Sequence, residues 1–468
     1  MDVPLGHHAP ARTRTAEAEG GGAVTEPTPH ATHDTPRAPH DTHHATHDTH
    51  RATYAQELLG LVETLLPGTV LQPGFLVRAA YRVSGAVDER VLRRALDDVV
   101  ARHGALRTLL LRDGDDLRQR VLPPMPSRLA VTRLGPGRSF DAWISEVALR
   151  PHPYDEPPLL WADLGRKGDD AVLVLVVHHV AADAWSQDVL ARDVVAAYTA
   201  RLHGEPPLAP DVMQYADIAA DDHSDKWQAR IGQALPYWRE RLTGVEGLGL
   251  PAETPDAAPG PTAVHSFRID DELRDAVRST ARRGRTTPFT VLLTAFVGAL
   301  LPPGDALVPV ITAGRIPSEW DTVGFLLNLL QIRVEHSGAH DAEALRELGP
   351  RVDRRCREAY ANDIPLIRVL EQSPQLLERM TARDLVAPVF QMIVRSPVRP
   401  ATGTPALHLD RLALDAQTAM PMPVPFLWTM RWDGDPGGYI TYDTHLFSAA
   451  WMERAVATYL DALTGLVG

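Results

Sequence analysis

The sequence predicts an α/β (α+β) protein made of two lobes, and three observations predict it. Residues 171–177 form an unbroken apolar run dominated by Val and Leu, the pattern of a strand buried on both faces. The segment after it has apolar residues at Leu190, Val194, Ala197, Tyr198 and Leu202, which is helical spacing. Residues 244–263 are rich in Gly, Pro and Ala without periodicity, and beyond them the alternation of strands and helices starts again. The break divides the chain into a first lobe at 54–243 and a second at 244–468.

Residues 1–53 differ from all that follow. They are rich in His, Thr, Pro, Ala and Gly, and His-Ala-Thr-His-Asp-Thr occurs at His30 and again at His44. Such a segment buries too little apolar surface to offset its ordering entropy, so it reads as a disordered, low-complexity leader. A metal-binding tail is the sharper alternative. Order is expected from Thr53. A helix at 55–66 ends at Pro67-Gly68, and a strand follows at 75–83. Asp88 caps a helix that Gly104 stops. Segments 106–111 and 117–121 form a hairpin about Asp113-Gly114. In the second half, strands at 267–269 and 307–312 alternate with helices at 272–283 and 288–301. Helices at 341–360 and from Ala449 complete the pattern.

Hydrophobic residues make up 44% and charged residues 23%, values of an ordinary globular chain. The net charge of −13 argues against a nucleic-acid binder. The single cysteine, Cys356, rules out a disulfide framework and a cysteine zinc site, and suits a reducing cytoplasm. No apolar run reaches the roughly 18 residues that span a bilayer. The first residues lack the basic and apolar regions of a secretory signal.

Chemistry gathers where the buried strand ends. His178 and His179 are followed by Asp183, Ala184, Trp185 and Ser186, with Ser186 placed to cap the next helix. Two histidines and an aspartate on a short loop between rigid elements make a candidate site. The plainer readings are a structural histidine pair or a metal fragment, but no third ligand with recognisable spacing follows.

His178-His179-x-x-x-Asp183 resembles the HHxxxDG signature of condensation domains of nonribosomal peptide synthetases, within the chloramphenicol acetyltransferase-like superfamily. Other landmarks occur in the same order. Arg102-His103-Gly-Ala-Leu106-Arg107-Thr108 is similar to the family's RHxxLRT motif. The run Val323-Gly324-Phe325-Leu-Leu-Asn328-Leu-Leu-Gln-Ile-Arg333 resembles VGFFVNTLPLR. Segments 153–165, 214–217, 236–242 and 441–447 fall where the family has further landmarks. The resemblance covers about residues 55–468. Ala184 stands where the signature has glycine, and His445 where a late landmark often has Asp.

The resemblance implies two chloramphenicol acetyltransferase-like lobes in a V with a central tunnel. It implies transfer of an acyl or aminoacyl group from the phosphopantetheine thioester of a carrier protein to an amine, forming an amide in natural-product biosynthesis. Ester formation with a hydroxyl acceptor is the alternative, as is a catalytically silent scaffold that recruits tailoring enzymes. His179 would meet the nucleophile and accept its proton, and His178 would be structural. Asp183 would pair with a cation from the second lobe, with Arg315 the candidate, and Asn328 would donate a hydrogen bond near the tunnel. Ala184, Trp185 and Ser186 would line the substrate path. No cofactor or metal of its own is implied. With no adenylation or carrier segment after residue 468 and no phosphate-binding glycine fingerprint, the expectation is a free-standing, cytoplasmic monomer that meets its carrier in trans. Two arginine clusters, 278–285 and 351–357, are candidate docking faces for that carrier.

Overall fold

The computed structural model describes residues 49–468 apart from 115, 210, 246–247, 256–257, 339–340, 395–404, 415–423 and 433–435. Residues 1–48 of the expected leader therefore lie outside the described residues. Order starts slightly earlier than expected. β1 (Thr49–Arg51) pairs antiparallel with a later strand, and Thr53 then caps α1 (Tyr54–Leu65) through a capping box with Gln56. After β2 (Leu76–Ser84), Asp88 caps α2 (Glu89–Arg102) as its position suggested. β3 (Thr108–Asp113) and β4 (Asp116–Val121) form the expected hairpin, and β4 also takes β1. β5 (Arg128–Arg133) and α3 (Phe140–Leu149) lead to β6 (Leu160–Lys167) and β7 (Asp170–His178). α4 (Ala184–His203), α5 (Tyr215–Asp222) and α6 (Asp225–Arg241) follow.

The second half runs through β8 (Leu250–Pro251), β9 (Thr262–Arg268), α7 (Asp271–Arg283) and α8 (Pro288–Leu300). β10 (Gly304–Thr312) and β11 (Asn328–His336) come next, then α9 (Ala342–Ala361), α10 (Leu366–Leu370) and α11 (Pro374–Thr381). β12 (Leu385–Val386), β13 (Val389–Ile393), β14 (His408–Leu412), β15 (Phe426–Arg431), β16 (Gly437–Asp443) and α12 (Ala449–Val467) complete the described chain.

Two principal sheets organise these elements. One has the order β14-β2-β7-β6-β5, the other β11-β10-β13-β15-β16-β9. β7 lies at the centre of the first, between β2 and β6, which explains its continuous apolar run: residues 171–177 are all buried. Each sheet has its own hydrophobic core. The halves trade segments, however. β14 pairs along β2 of the first sheet, and Val323, Phe325 and Leu326 join the first core. Tyr54 and Leu58 of α1, with Ile231 and Trp238 of α6, join the second. Exchanged segments tie the lobes together, so the seam between them is a packed contact. No helix among the described residues is long and apolar enough to cross a membrane.

Candidate active site

The site is built at the end of β7. His178 is fully buried, and its Nε2 lies 3.0 Å from the Gln72 carbonyl, so Nε2 donates. Its Nδ1 lies 3.4 Å from the Val180 N–H. Burial is the main reason its pKa is pushed down to about 4. His178 is thus a neutral, fully engaged strut.

The next ring is set differently. His179 Nδ1 lies 2.6 Å from the Ala182 carbonyl, and a carbonyl only accepts, so the proton of the neutral ring sits on Nδ1. Nε2 is left with its lone pair and has no hydrogen-bond partner among the described residues. The ring stacks on Phe75 at 4.7 Å between centroids and meets the edge of Phe325 at 5.0 Å. It is 5% exposed. Burial holds its pKa below the ordinary histidine value, against the Ala182 carbonyl and the Asp183 charge. His179 is therefore a neutral base at pH 7, framed by one phenylalanine from each half of the chain.

Asp183 joins the halves. Its carboxylate caps α4 by accepting from Ser186 N at 2.9 Å. Asp183 thus takes the capping role expected of Ser186, because the helix begins at Ala184 and Ser186 lies in its first turn. Arg315 grips the same carboxylate with two nitrogens, Nη1 at 2.5 Å and Nη2 at 2.9 Å, and Leu326 N donates to it at 3.2 Å. The Ser186 hydroxyl lies 2.9 Å from Asp183 and accepts from Arg315 Nη2 and Gly324 N, both at 3.1 Å. All three side chains are buried. On its own, burial raises the Asp183 pKa, but the Arg315 charge and the hydrogen bonds outweigh it and hold the carboxyl below its ordinary value. The Arg315 loop reaches this position through Gly314, at φ 62°, where a Cβ would stand 1.8 Å from the Leu326 carbonyl oxygen.

The other expected site residues lie as follows. Ala184 is exposed and begins a helix, so its methyl group meets no positive-φ strain; among described non-glycine residues only Arg285 has positive φ. Trp185 donates its indole N–H to the Trp320 carbonyl at 2.9 Å and lies under the Arg315 guanidinium at 5.5 Å. Ser186 is occupied by the ion pair rather than open to a ligand. Asn328 differs most from expectation. Its amide donates to Asp363 at 2.7 Å and to the Ile364 carbonyl at 2.8 Å, and its oxygen accepts from Leu366 N. Both of its protons pin the strand to the 363–366 segment, so neither is offered to a substrate.

The sequence did not single out Phe75, Phe325 and Tyr215 as site residues. Phe325 and Tyr215 stand inside landmark motifs, so position within a motif was the available signal; Phe75 left none. The Tyr215 hydroxyl donates to the Phe325 carbonyl at 2.7 Å and lies 2.9 Å from the Thr53 hydroxyl. Behind the site, His103 Nε2 lies 2.8 Å from Asp193, which also takes Arg102 and Arg192. Burial alone raises the Asp193 pKa, but His103 and Arg192 outweigh it and hold it at about 2. Arg107 is bonded to the carbonyls of Val100, Ala101 and Leu122. The Arg-His-x-x-x-Arg residues are thus a brace under α2 and α4.

Two hollows flank the seam. One of about 30 Å³ is lined by Tyr54, Tyr215, Phe325 and Asn328 among others. A wider polar cleft of about 340 Å³ lies among Arg51, Glu57, Arg118, His223 and Arg368. Tyr54 lines both, and Phe325 connects the first to the His179 ring. Among the described residues no group of three or more His, Cys, Asp or Glu is placed to hold a metal.

Paired mixed sheets that meet at a seam give the two-lobed fold of the chloramphenicol acetyltransferase-like class. The chain belongs to the Condensation domain family, whose model matches residues 55–419. It is 31% identical to Phosphinothricin tripeptide synthetase PhsC of Streptomyces viridochromogenes over 86% of this chain and 38% of that protein. It is also similar to the Dimodular nonribosomal peptide synthase of Bacillus subtilis, with 32% identity over 69% of this chain and 14% of that protein. The chain thus spans a minor part of these curated relatives. Among solved structures it resembles the SgcC5 protein of Streptomyces globisporus, with TM-score 0.76 and 30% identity over 89% of this chain and 98% of that one. It also shares the fold of the X-domain from teicoplanin biosynthesis, with TM-score 0.70 and 20% identity over 89% of this chain and 94% of that one.

Proposed function

We propose that this chain is a condensation enzyme of nonribosomal peptide synthesis. It moves an acyl or aminoacyl group from the phosphopantetheine thioester of a carrier protein to an amine. The amine nitrogen bonds to the thioester carbonyl carbon, the carbon–sulfur bond breaks, and an amide and a free thiol result. The observation that carries this reading is His179 Nε2, an unprotonated, unbonded nitrogen at the seam of the two lobes. It accepts the proton that the amine loses and returns it to the departing sulfur. Asp183 and Arg315 do not touch the reacting atoms; they fix the loop that holds the ring and the segment that carries Phe325. Asn328 has no part in this step.

The SgcC5 chain is matched over 98% of its length at 30% identity. That match favours a second acceptor class. The SgcC5 structure is a complex with (R)-(-)-1-(2-naphthyl)-1,2-ethanediol, a diol. A hydroxyl acceptor would give an ester by the same route, with heavier reliance on His179.

The test mixes the protein with an acyl-loaded carrier and either an amine or an alcohol, and looks for the joined product by mass spectrometry. Amide is expected with the amine, and strongly reduced product with His179→Ala. Absence of product with both acceptor classes, or full activity in His179→Ala, overturns the reading.

A further inference from the structure

The two arginine clusters, well separated in sequence, meet on one surface. Arg357 Nη2 donates to the Arg285 carbonyl at 3.1 Å, and the Thr286 hydroxyl bonds Asp353. The end of α7 therefore lies against the middle of α9. Arg282, Arg283 and Arg285 from the first, and Arg354 and Arg357 from the second, are all exposed. Arg283 is held by Ser279 and Thr280, and Arg357 by Asp353. The guanidiniums of Arg282, Arg285 and Arg354 have no acceptor among the described residues. Asp353 takes bonds from both Thr286 and Arg357 and is the carboxylate set into this face.

Arginines in the last turn of a helix complement its dipole, which accounts for Arg282 and Arg283. It does not account for Arg354 and Arg357, which lie in the interior of α9. Nor does it account for the backbone at Arg285. Arg285 N donates to the Arg282 carbonyl and Thr286 N to the Ala281 carbonyl, the bonding of a helix end whose closing residue is left-handed. Glycine is the usual occupant there. Here Gly284 has ordinary helical angles, and the left-handed place, at φ 50°, belongs to an arginine. It is the one described non-glycine residue in that region. A non-glycine residue in that conformation carries strain that glycine at position 285 would relieve.

We infer that Arg282, Arg283, Arg285, Arg354 and Arg357 form a docking face for an acidic helix of the carrier protein that delivers the acyl group. The inference rests on the proposed function for the identity of the partner. A positive face on a chain of net charge −13 selects an acidic protein while the rest of the surface repels it.

The experiment compares wild type, the charge-reversed R282E/R354E variant and R285G, each with two donors: the acyl-loaded carrier and the same acyl group on free pantetheine. Neither variant touches His179 or its frame. The docking face predicts a rise in KM for the loaded carrier of about tenfold or more in R282E/R354E, removed by raising the salt concentration, with unchanged kinetics on the pantetheine thioester. R285G is expected to raise Tm, because it relieves the left-handed arginine, while raising KM for the carrier. Unchanged carrier KM in both variants overturns the docking face, as does equal loss on both donors. Transfer from neither donor by the wild type instead removes the functional reading. Binding of the unloaded carrier to wild type and R282E/R354E, followed by calorimetry, then decides the docking face on its own, with equal affinities refuting it.

Discussion

Replacing Arg315 with Met isolates what holds the two lobes in register. The guanidinium makes two bonds to Asp183, one to the Ser186 hydroxyl, and further contacts to the carbonyls of Ala313, Thr322 and Gly324. Methionine matches much of its volume but leaves Asp183 buried without a cation, and uncompensated charges of this kind cost about 3–5 kcal/mol. That is a large part of a domain's total stability of about 5–15 kcal/mol. The sign with pH is distinctive. In the native protein the Asp183 carboxyl lies below its ordinary value, because Arg315 and the hydrogen bonds outweigh burial. Its contribution is present above the unfolded pKa of about 3.9 and is lost as pH falls through the folded value. Without Arg315, burial dominates and the folded pKa rises above the unfolded one. The Arg315→Met protein is then least stable at neutral pH and gains stability as pH falls from 7 towards 4, a range over which the Asp183 contribution in wild type is constant. Urea unfolding at pH 7 and pH 5 reads this directly, with D183N/R315M as the partner experiment. The double variant is expected to be more stable at pH 7 than R315M, since the stranded charge is gone. Wild-type stability in R315M, or a double variant no better than the single, would refute the assignment of this pair as the clamp.

Other consequences follow from the same geometry. His179→Ala is expected to lower kcat by more than about 10²-fold with a hydroxyl acceptor and by less with an amine, which is partly deprotonated already at neutral pH. With a hydroxyl acceptor the acid limb of the kcat profile should fall below pH 6.5, since burial lowers the His179 pKa; a limb above that value contradicts the assignment. Gly314→Ala should lower Tm and reduce transfer, because its Cβ would meet the Leu326 oxygen at 1.8 Å in a left-handed conformation. Ala184→Gly, which restores the family residue, should leave transfer within about threefold and destabilise α4 by at most about 1 kcal/mol, since Ala184 is exposed and helical. A large gain in activity would show that the methyl group obstructs the substrate.

How much of this was legible in the sequence depends on the kind of signal. The buried strand, the cap at Asp88 and the hairpin at Asp113-Gly114 are local, and periodicity or a single cap residue suffices to read them. The partnership of Asp183 with Arg315 spans 132 residues, and only the family resemblance, which implies a cation from the second lobe, pointed to it. Asn328 was misread for a physical reason. A motif says that an amide is needed, but not which way it points, and here it points to Asp363 and Ile364. The cap was misassigned between Asp183 and Ser186 because both types cap helices, and only the start of α4 at Ala184 decides between them. The trading of segments between lobes left no mark at all. Nothing in residues 408–412 says that they pair with β2, far earlier in the chain.

That trading bears on the chemistry. His179 is fixed to the first half by its own backbone, whose N–H donates to the Phe75 carbonyl, and by stacking on the Phe75 ring. The opposite wall, Phe325, comes from the second half and is held by two devices. The Tyr215 hydroxyl donates to its carbonyl, and Asp183 accepts from the next residue, Leu326. A change in the angle between the halves therefore moves one wall of the histidine's slot and leaves the other in place. Opening at the seam would also separate Asp183 from Arg315, a step opposed by the cost of stranding both charges. The ion pair thus opposes separation of the two halves and keeps the Phe325 wall against the His179 ring.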